Sequence, residues 1–262
     1  MQKPDVLDLK VVERNVYRLL DGNDFVSHGF NHVKRVATGA AYFASLDGAD
    51  DEGRTVAYVA GLIHDLSRPK SESKDHTKSS EESAREFLVN YDCHGREDEI
   101  VRLVANHRHM TSGSMRSRSV FIADKVLEQM GAYLAFRGAV YIAEVGDFAS
   151  RNGEGLMDAQ CEVITRRMET YPVEGFPAKL RSFVEYQKDL ALRFIRHLRS
   201  SDKWATNIST FCYDKVRNGT AGSTDDLIER YEPIGTDDVE YRNESIRYLT
   251  AFPEALQRFI GI

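Results

Sequence analysis

No stretch of this chain is apolar for long enough to cross a bilayer, so the sequence excludes a helical membrane span. The first residues, Met1-Gln2-Lys3-Pro4-Asp5, hold no apolar run like that of a secretory signal. Cysteine is sparse: Cys93, Cys161 and Cys212 are widely spaced, odd in number and form no Cys-x-x-Cys pair. Neither a disulfide framework nor a zinc ribbon is indicated, and a reducing cytoplasm is the expected location. Gly-x-Gly-x-x-Gly is missing, and so is a phosphate loop. The run Gly219-Thr220-Ala221-Gly222-Ser223 lacks the Gly-Lys-Ser/Thr ending and reads as a flexible connection. Positive charge is not in excess either. The net charge of -6 argues against a general nucleic-acid or membrane-surface partner, while a local basic patch could still hold a small anion.

What is present is helical periodicity. The 262 residues, 42% of them hydrophobic, suffice for one large domain or a domain with an appendage. Val33, Val36, Ala37, Ala40, Ala41 and Ala44 form an apolar stripe with His32 at its start. Thr55 to Leu66 reads as the next helix, ended by Pro69. Arg68 to Lys78 reads as a loop, and Ser79-Ser80-Glu81-Glu82 as a capping box for the helix after it. Helices are also expected over Glu97 to His109, Ser119 to Met130, Leu156 to Thr170, Ala178 to Leu198, Asp238 to Leu249 and Pro253 to Phe259. Arg217 to Asp226 reads as a loop or linker. With no run of alternating strands and no internal repeat, the expected class is all-α: a helical bundle with additional C-terminal helices. The expected organisation is a domain over residues 1–205 and an extension over 206–262 packed on it.

The chemistry is concentrated at His64-Asp65, which closes the apolar run Ala60-Gly61-Leu62-Ile63. Two adjacent ionisable residues at the end of a buried helix need a partner, because burying them alone is costly. A divalent metal ion is a natural one, since neutral imidazole and carboxylate are both good ligands. His32 and Asp124 lie on other expected helices and could approach the same ion. A single histidine on a helix is more often structural. The set of four, each on or at the end of an expected helix, shifts that balance.

The order His32 … His64-Asp65 … Asp124 resembles the HD-domain superfamily of metal-dependent phosphohydrolases. Phe30-Asn31-His32-Val33-Lys34-Arg35-Val36, Gly61-Leu62-Ile63-His64-Asp65-Leu66 and Ile122-Ala123-Asp124-Lys125-Val126-Leu127 carry the likeness, which covers about residues 25 to 150. It implies a divalent ion (Mn, Ni, Fe, Co, Mg or Zn) held by His32, His64, Asp65 and Asp124. It further implies hydrolysis of a small phosphorylated molecule, with a nucleotide as the expected substrate, by metal-activated water oriented by Asp65. His107 and His76 fit positions that line the pocket or serve a second metal, whereas His109, two residues on, points elsewhere. Arg68 and Lys70 are the expected phosphate contacts nearest the pair, with Lys125 a further candidate. Lys74 and Lys78 lie in the same basic loop. His28, His94 and His197 read as surface residues. Arg68 stands where some nucleotidase members place a catalytic Glu, and no Gly-Tyr-Pro follows His107-Arg108-His109. A 5′-nucleotidase and a cyclic-dinucleotide phosphodiesterase are therefore disfavoured. The competing readings are an HD-fold di-iron oxygenase and a non-catalytic metal or nucleotide sensor. Nothing in the sequence bars a homo-oligomer.

Overall fold

The structure, a computed structural model, describes residues 5–21, 25–68, 76–108, 113–145, 155–169 and 176–251. Helix dominates, as expected for an all-α chain, and among the described residues no helix is long and apolar enough to cross a membrane. The chain divides into two compact units, Met1–Glu128 and Gln129–Ile262.

In the first unit, α1 (Leu9–Leu20) begins at Asp8, whose carboxylate accepts from the Lys10 backbone N–H at 2.8 Å. It buries Val12, Val16 and Leu20, a spacing of four that forms one helical face. A single 3₁₀ turn, Val26–His28, leads into α2 (Phe30–Leu46). α3 spans Asp51–Ile63. It starts earlier than Thr55 because Asp50 accepts from the Gly53 N–H at 2.8 Å and Asp51 and Glu52 fill the first turn, where the helix dipole favours anions. It also ends before Leu66 and Pro69, since His64 leaves the ladder.

Helices α2 and α3 pack against each other so closely that a Cβ on Gly61 would lie 2.6 Å from Ala37 Cα. α4 (His76–Leu88) starts before the proposed Ser79 cap. Ser80, from that motif, is buried within the helix, with its hydroxyl 3.0 Å from Ser67 Oγ. α5 (Glu97–Ala105) gives way to a 3₁₀ turn over Asn106–Arg108, so the helix expected to run through His109 stops short. α6 (Ser119–Ile122) runs straight into a widened turn, Ala123–Leu127, in which the Glu128 N–H reaches Ala123 O five residues back at 3.1 Å. Two short strands, β1 (Asp5–Val6) and β2 (Tyr91–Asp92), pair in parallel.

Helices α1, α2 and α3 share a polar tie. Glu13 Oε1 accepts from Tyr58 OH at 2.6 Å and from Lys34 Nζ at 2.7 Å, and Lys34 also donates to Tyr58 OH. Partial burial opposes ionisation of Glu13, yet Lys34 and Tyr58 hold its carboxyl below the usual value. This stabilisation is present above the unfolded-state pKa and lost as the pH falls through the lower folded one. Glu13→Gln is therefore expected to cost roughly 0.5–1 kcal/mol at pH 7, reduced by solvent screening, and almost nothing near pH 3. Urea melts of both chains at the two pH values read this directly.

The second unit is built on α7 (Gly131–Val145), buried along nearly its whole length. Packed on it are α8 (Leu156–Glu169), α9 (Ala178–Arg199), α10 (Lys203–Arg217), α11 (Thr224–Arg230) and α12 (Thr236–Ala251). Ser223 Oγ accepts from the Asp226 N–H at 3.0 Å and starts α11, so helix replaces the end of the expected Arg217–Asp226 loop. The expected helix over Pro253 to Phe259 lies outside the described residues.

Candidate metal centre

In the first unit, the end of α3 positions the central pair. Because His64 and Asp65 sit in the turn after Ile63 rather than on a regular helix, both side chains can face inward, and both are buried. His64 Nδ1 donates to Gly61 O at 2.7 Å, a carbonyl left over at the helix C-terminus. His107 follows the same pattern at the end of α5, donating from Nδ1 to Val104 O at 2.5 Å. A carbonyl can only accept, so Nδ1 carries the proton in both rings and, while they are neutral, Nε2 presents its lone pair.

Those nitrogens converge on carboxylate oxygens. Asp65 Oδ2 is 3.4 Å from His64 Nε2 and 3.9 Å from His32 Nε2, and Asp65 Oδ1 is 3.7 Å from His107 Nε2. Asp124 Oδ1, from the widened turn after α6, lies 3.6 Å from His32 Nε2. One ligand atom from each of His32, His64 and Asp124 falls within 4.8 Å of the others. Ligands held ~2.1 Å from one ion sit roughly 3–4 Å apart, so the spacing suits a shared cation. The donor set fits as well: lone pairs on imidazoles facing ionised carboxylates repel unless a cation lies between them.

The electrostatics follow from this crowding. Burial opposes ionisation of both aspartates, but His64 and Arg68 beside Asp65, and Lys125 with His64 near Asp124, hold both carboxyls well below the usual range. Burial would lower the pKa of His64, and the neighbouring Asp65 charge more than reverses it. Burial, reinforced by charge on His64, pushes His107 down to about 3. The two imidazoles beside Asp65 thus shift in opposite directions: its charge outweighs burial at His64, and burial prevails at His107.

The four residues selected from the sequence are brought together, and His107 joins them. Arg68 Nε is 3.6 Å from Asp65 Oδ2, and Lys125 Nζ is 2.5 Å from Asp124 Oδ2. Both side chains retain a little exposure, which puts them at the rim of the buried cluster. Lys70, Lys74 and His109 lie outside the described residues, as do the side chains of His76 and Lys78.

Three residues were not read from the sequence as part of this site. His28, expected on the surface, is buried, with its ring 5.5 Å from that of His32 and its Nδ1 2.7 Å from Ser27 Oγ. The tight Val26–His28 turn folds it inward. Glu128 and Arg35 complete the surroundings of His32: Glu128 Oε2 is 3.1 Å from His32 Nδ1, and Arg35 donates from Nε and Nη2 to the same carboxylate at 2.5 and 3.1 Å. Burial alone would raise the Glu128 carboxyl; Arg35 and His32 bring it down to about 2. His94 is exposed as expected, whereas His197 is half-buried against Trp204 and paired with Asp202 at 2.6 Å.

The family model described as HD domain matches residues 29–129, the segment that contains every one of these residues except His28 and His197. No curated protein and no solved structure matches the chain.

Proposed function

We propose that this chain, a member of the HD-domain superfamily of metal-dependent phosphohydrolases through residues 29–129, cleaves a phosphate ester or phosphoanhydride of a small molecule, with a nucleotide as the favoured substrate. The observation that carries the reading is the convergence of His32, His64 and Asp124 within 4.8 Å, with Asp65 packed against both imidazoles. These four are the proposed metal ligands. When bound, a divalent ion there supplies Lewis-acid polarisation of a phosphoryl oxygen and a water acidic enough to ionise near neutral pH.

The remaining roles fall to the chain itself. Asp65 has two differently placed oxygens, so one can face the cation while the other orients the attacking water. Arg68 and Lys125, at the rim, would neutralise the phosphoryl charge as it develops. Lys70, His76 and a pocket-lining His107 complete the proposed contacts. Asp65 Oδ1 faces His107 while Oδ2 faces His32 and His64, so Asp65 and His107 are the residues that would hold a second ion.

The decisive experiment is elemental analysis of the purified protein beside a phosphate-release screen of nucleotides and other phosphorylated small molecules with Mn, Mg, Ni and Co. Metal-dependent release supports the reading. Iron-dependent oxygen uptake without phosphate release would favour an oxygenase instead, and metal binding without turnover a sensor. Arg68→Met is expected to lower kcat/KM by ~10–100-fold with metal content unchanged, as the loss of one charged phosphate contact predicts. An unchanged kcat/KM would remove Arg68 from the site.

A further inference from the structure

His64 and His107 hang from the C-terminal ends of helices, where carbonyls without helical partners accept their Nδ1 protons. His32 is placed differently. It lies in the first turn of α2, where the unsatisfied backbone groups are N–H donors. The nearby Gly29 carbonyl already accepts from the backbone N–H groups of His32 and Val33 at 3.1 and 3.4 Å. The acceptor that faces Nδ1 of His32 is a side chain, the Glu128 carboxylate. Asp124 and Glu128, four residues apart across the widened turn, clasp the ring from both sides: Asp124 Oδ1 faces Nε2 at 3.6 Å and Glu128 Oε2 faces Nδ1 at 3.1 Å.

We propose that Glu128, locked in place by Arg35, is a positioning residue that fixes His32 as the Nδ1–H tautomer and so turns its Nε2 lone pair toward Asp65 and Asp124. The guanidinium is the part that makes this directional. Its paired bonds orient the carboxylate, and its charge keeps Glu128 an acceptor rather than a donor. A carboxylate behind a ligating histidine is a general device for orienting the ring and raising its basicity. The consequence for metal affinity rests on the reading of His32 as a ligand; the tautomer itself does not.

Substitution by Gln separates these elements. In Glu128→Gln, Arg35 claims the amide oxygen and leaves the amide N–H₂ facing His32 Nδ1, so the ring must accept there and carry its proton on Nε2. Adding Arg35→Met frees the amide to turn its oxygen back to His32. The test uses the full chain with ¹⁵N-labelled histidine at mildly alkaline pH, followed by titration with Co²⁺, and circular dichroism checks that each variant is folded. Expected are Nδ1–H for wild-type His32, Nε2–H in Glu128→Gln with ~10–100-fold weaker Co²⁺ binding, and recovery of both tautomer and affinity in the double variant. A folded Glu128→Gln chain that keeps Nδ1–H overturns the proposal, as does a double variant that stays in the Nε2–H form. A switched tautomer with unchanged Co²⁺ affinity supports the role of Glu128 and overturns instead the reading of His32 as a ligand.

Discussion

Asp65→Ala is expected to yield a folded chain that holds no metal and releases no phosphate. Asp65 is the residue on which the site converges: within 4 Å it meets His32, His64, His107 and Arg68. Removing it takes one of two buried anions from beside the proposed cation, along with the second oxygen proposed to orient water. A fall in turnover of ~10³-fold or more, worth about 4 kcal/mol in the barrier, is the scale set by losing Lewis-acid polarisation and an ionised water together. The metal-free chain should tolerate the change far better than its activity does, because the buried carboxylate carries its own desolvation cost and its loss also relieves the demand for charge on His64. Elemental analysis, phosphate release and a thermal melt on the same preparation test all three parts. Turnover persisting in a chain that has lost its metal would end the hydrolase reading.

What could be read from the sequence, and what could not, divides along physical lines. The ligand candidates were legible as an ordered set, His32, His64-Asp65 and Asp124, on or at the ends of expected helices, and because buried ionisable groups demand a partner. Their supports were legible only in principle. Arg35 is three residues from His32 and Glu128 is four from Asp124, spacings that put each on the ligand's own helix face, but neither spacing says that the two meet across different elements. His28 gave no signal, since its burial depends on a 3₁₀ turn that sequence periodicity does not mark. Helix α7 escaped for the opposite reason: residues from Gly131 to Ala143 are almost all buried, so it has no polar face and no amphipathic period to detect. The early start of α3 was available in Asp50-Asp51-Glu52, an N-cap followed by acids, and was masked by the stronger apolar pattern downstream. Ligands carried by their own helix contexts were thus readable, while the supports that reach them from another element, such as Arg35 on Glu128 and Glu128 on His32, were not.

Gly61→Ala is expected to damage stability and metal binding together. In an exposed helix interior this change would stabilise the chain by roughly 1 kcal/mol through propensity alone. At Gly61 the added methyl would stand 2.6 Å from Ala37 Cα, 2.9 Å from Ala37 N and 3.0 Å from Val36 O, all of them backbone atoms of α2. No side chain can rotate away, so α2 and α3 must part by roughly 1 Å to restore ordinary contact distance. Overpacking of this kind costs about 3 kcal/mol, which outweighs the propensity gain. The displacement is aimed at the centre: His32 rides on α2, and His64 follows directly from α3, three residues beyond Gly61. Their rings, 5.3 Å apart, can move away from each other only by pulling Nε2 atoms off a common point. Co²⁺ affinity should therefore fall at least ~10-fold, and the melting temperature by roughly 4–8 °C for the net loss of about 2 kcal/mol. A Gly61→Ala chain with wild-type affinity and an equal or higher melting temperature would mean that the two helices are not held at backbone contact and that the spacing of the two imidazoles is set elsewhere.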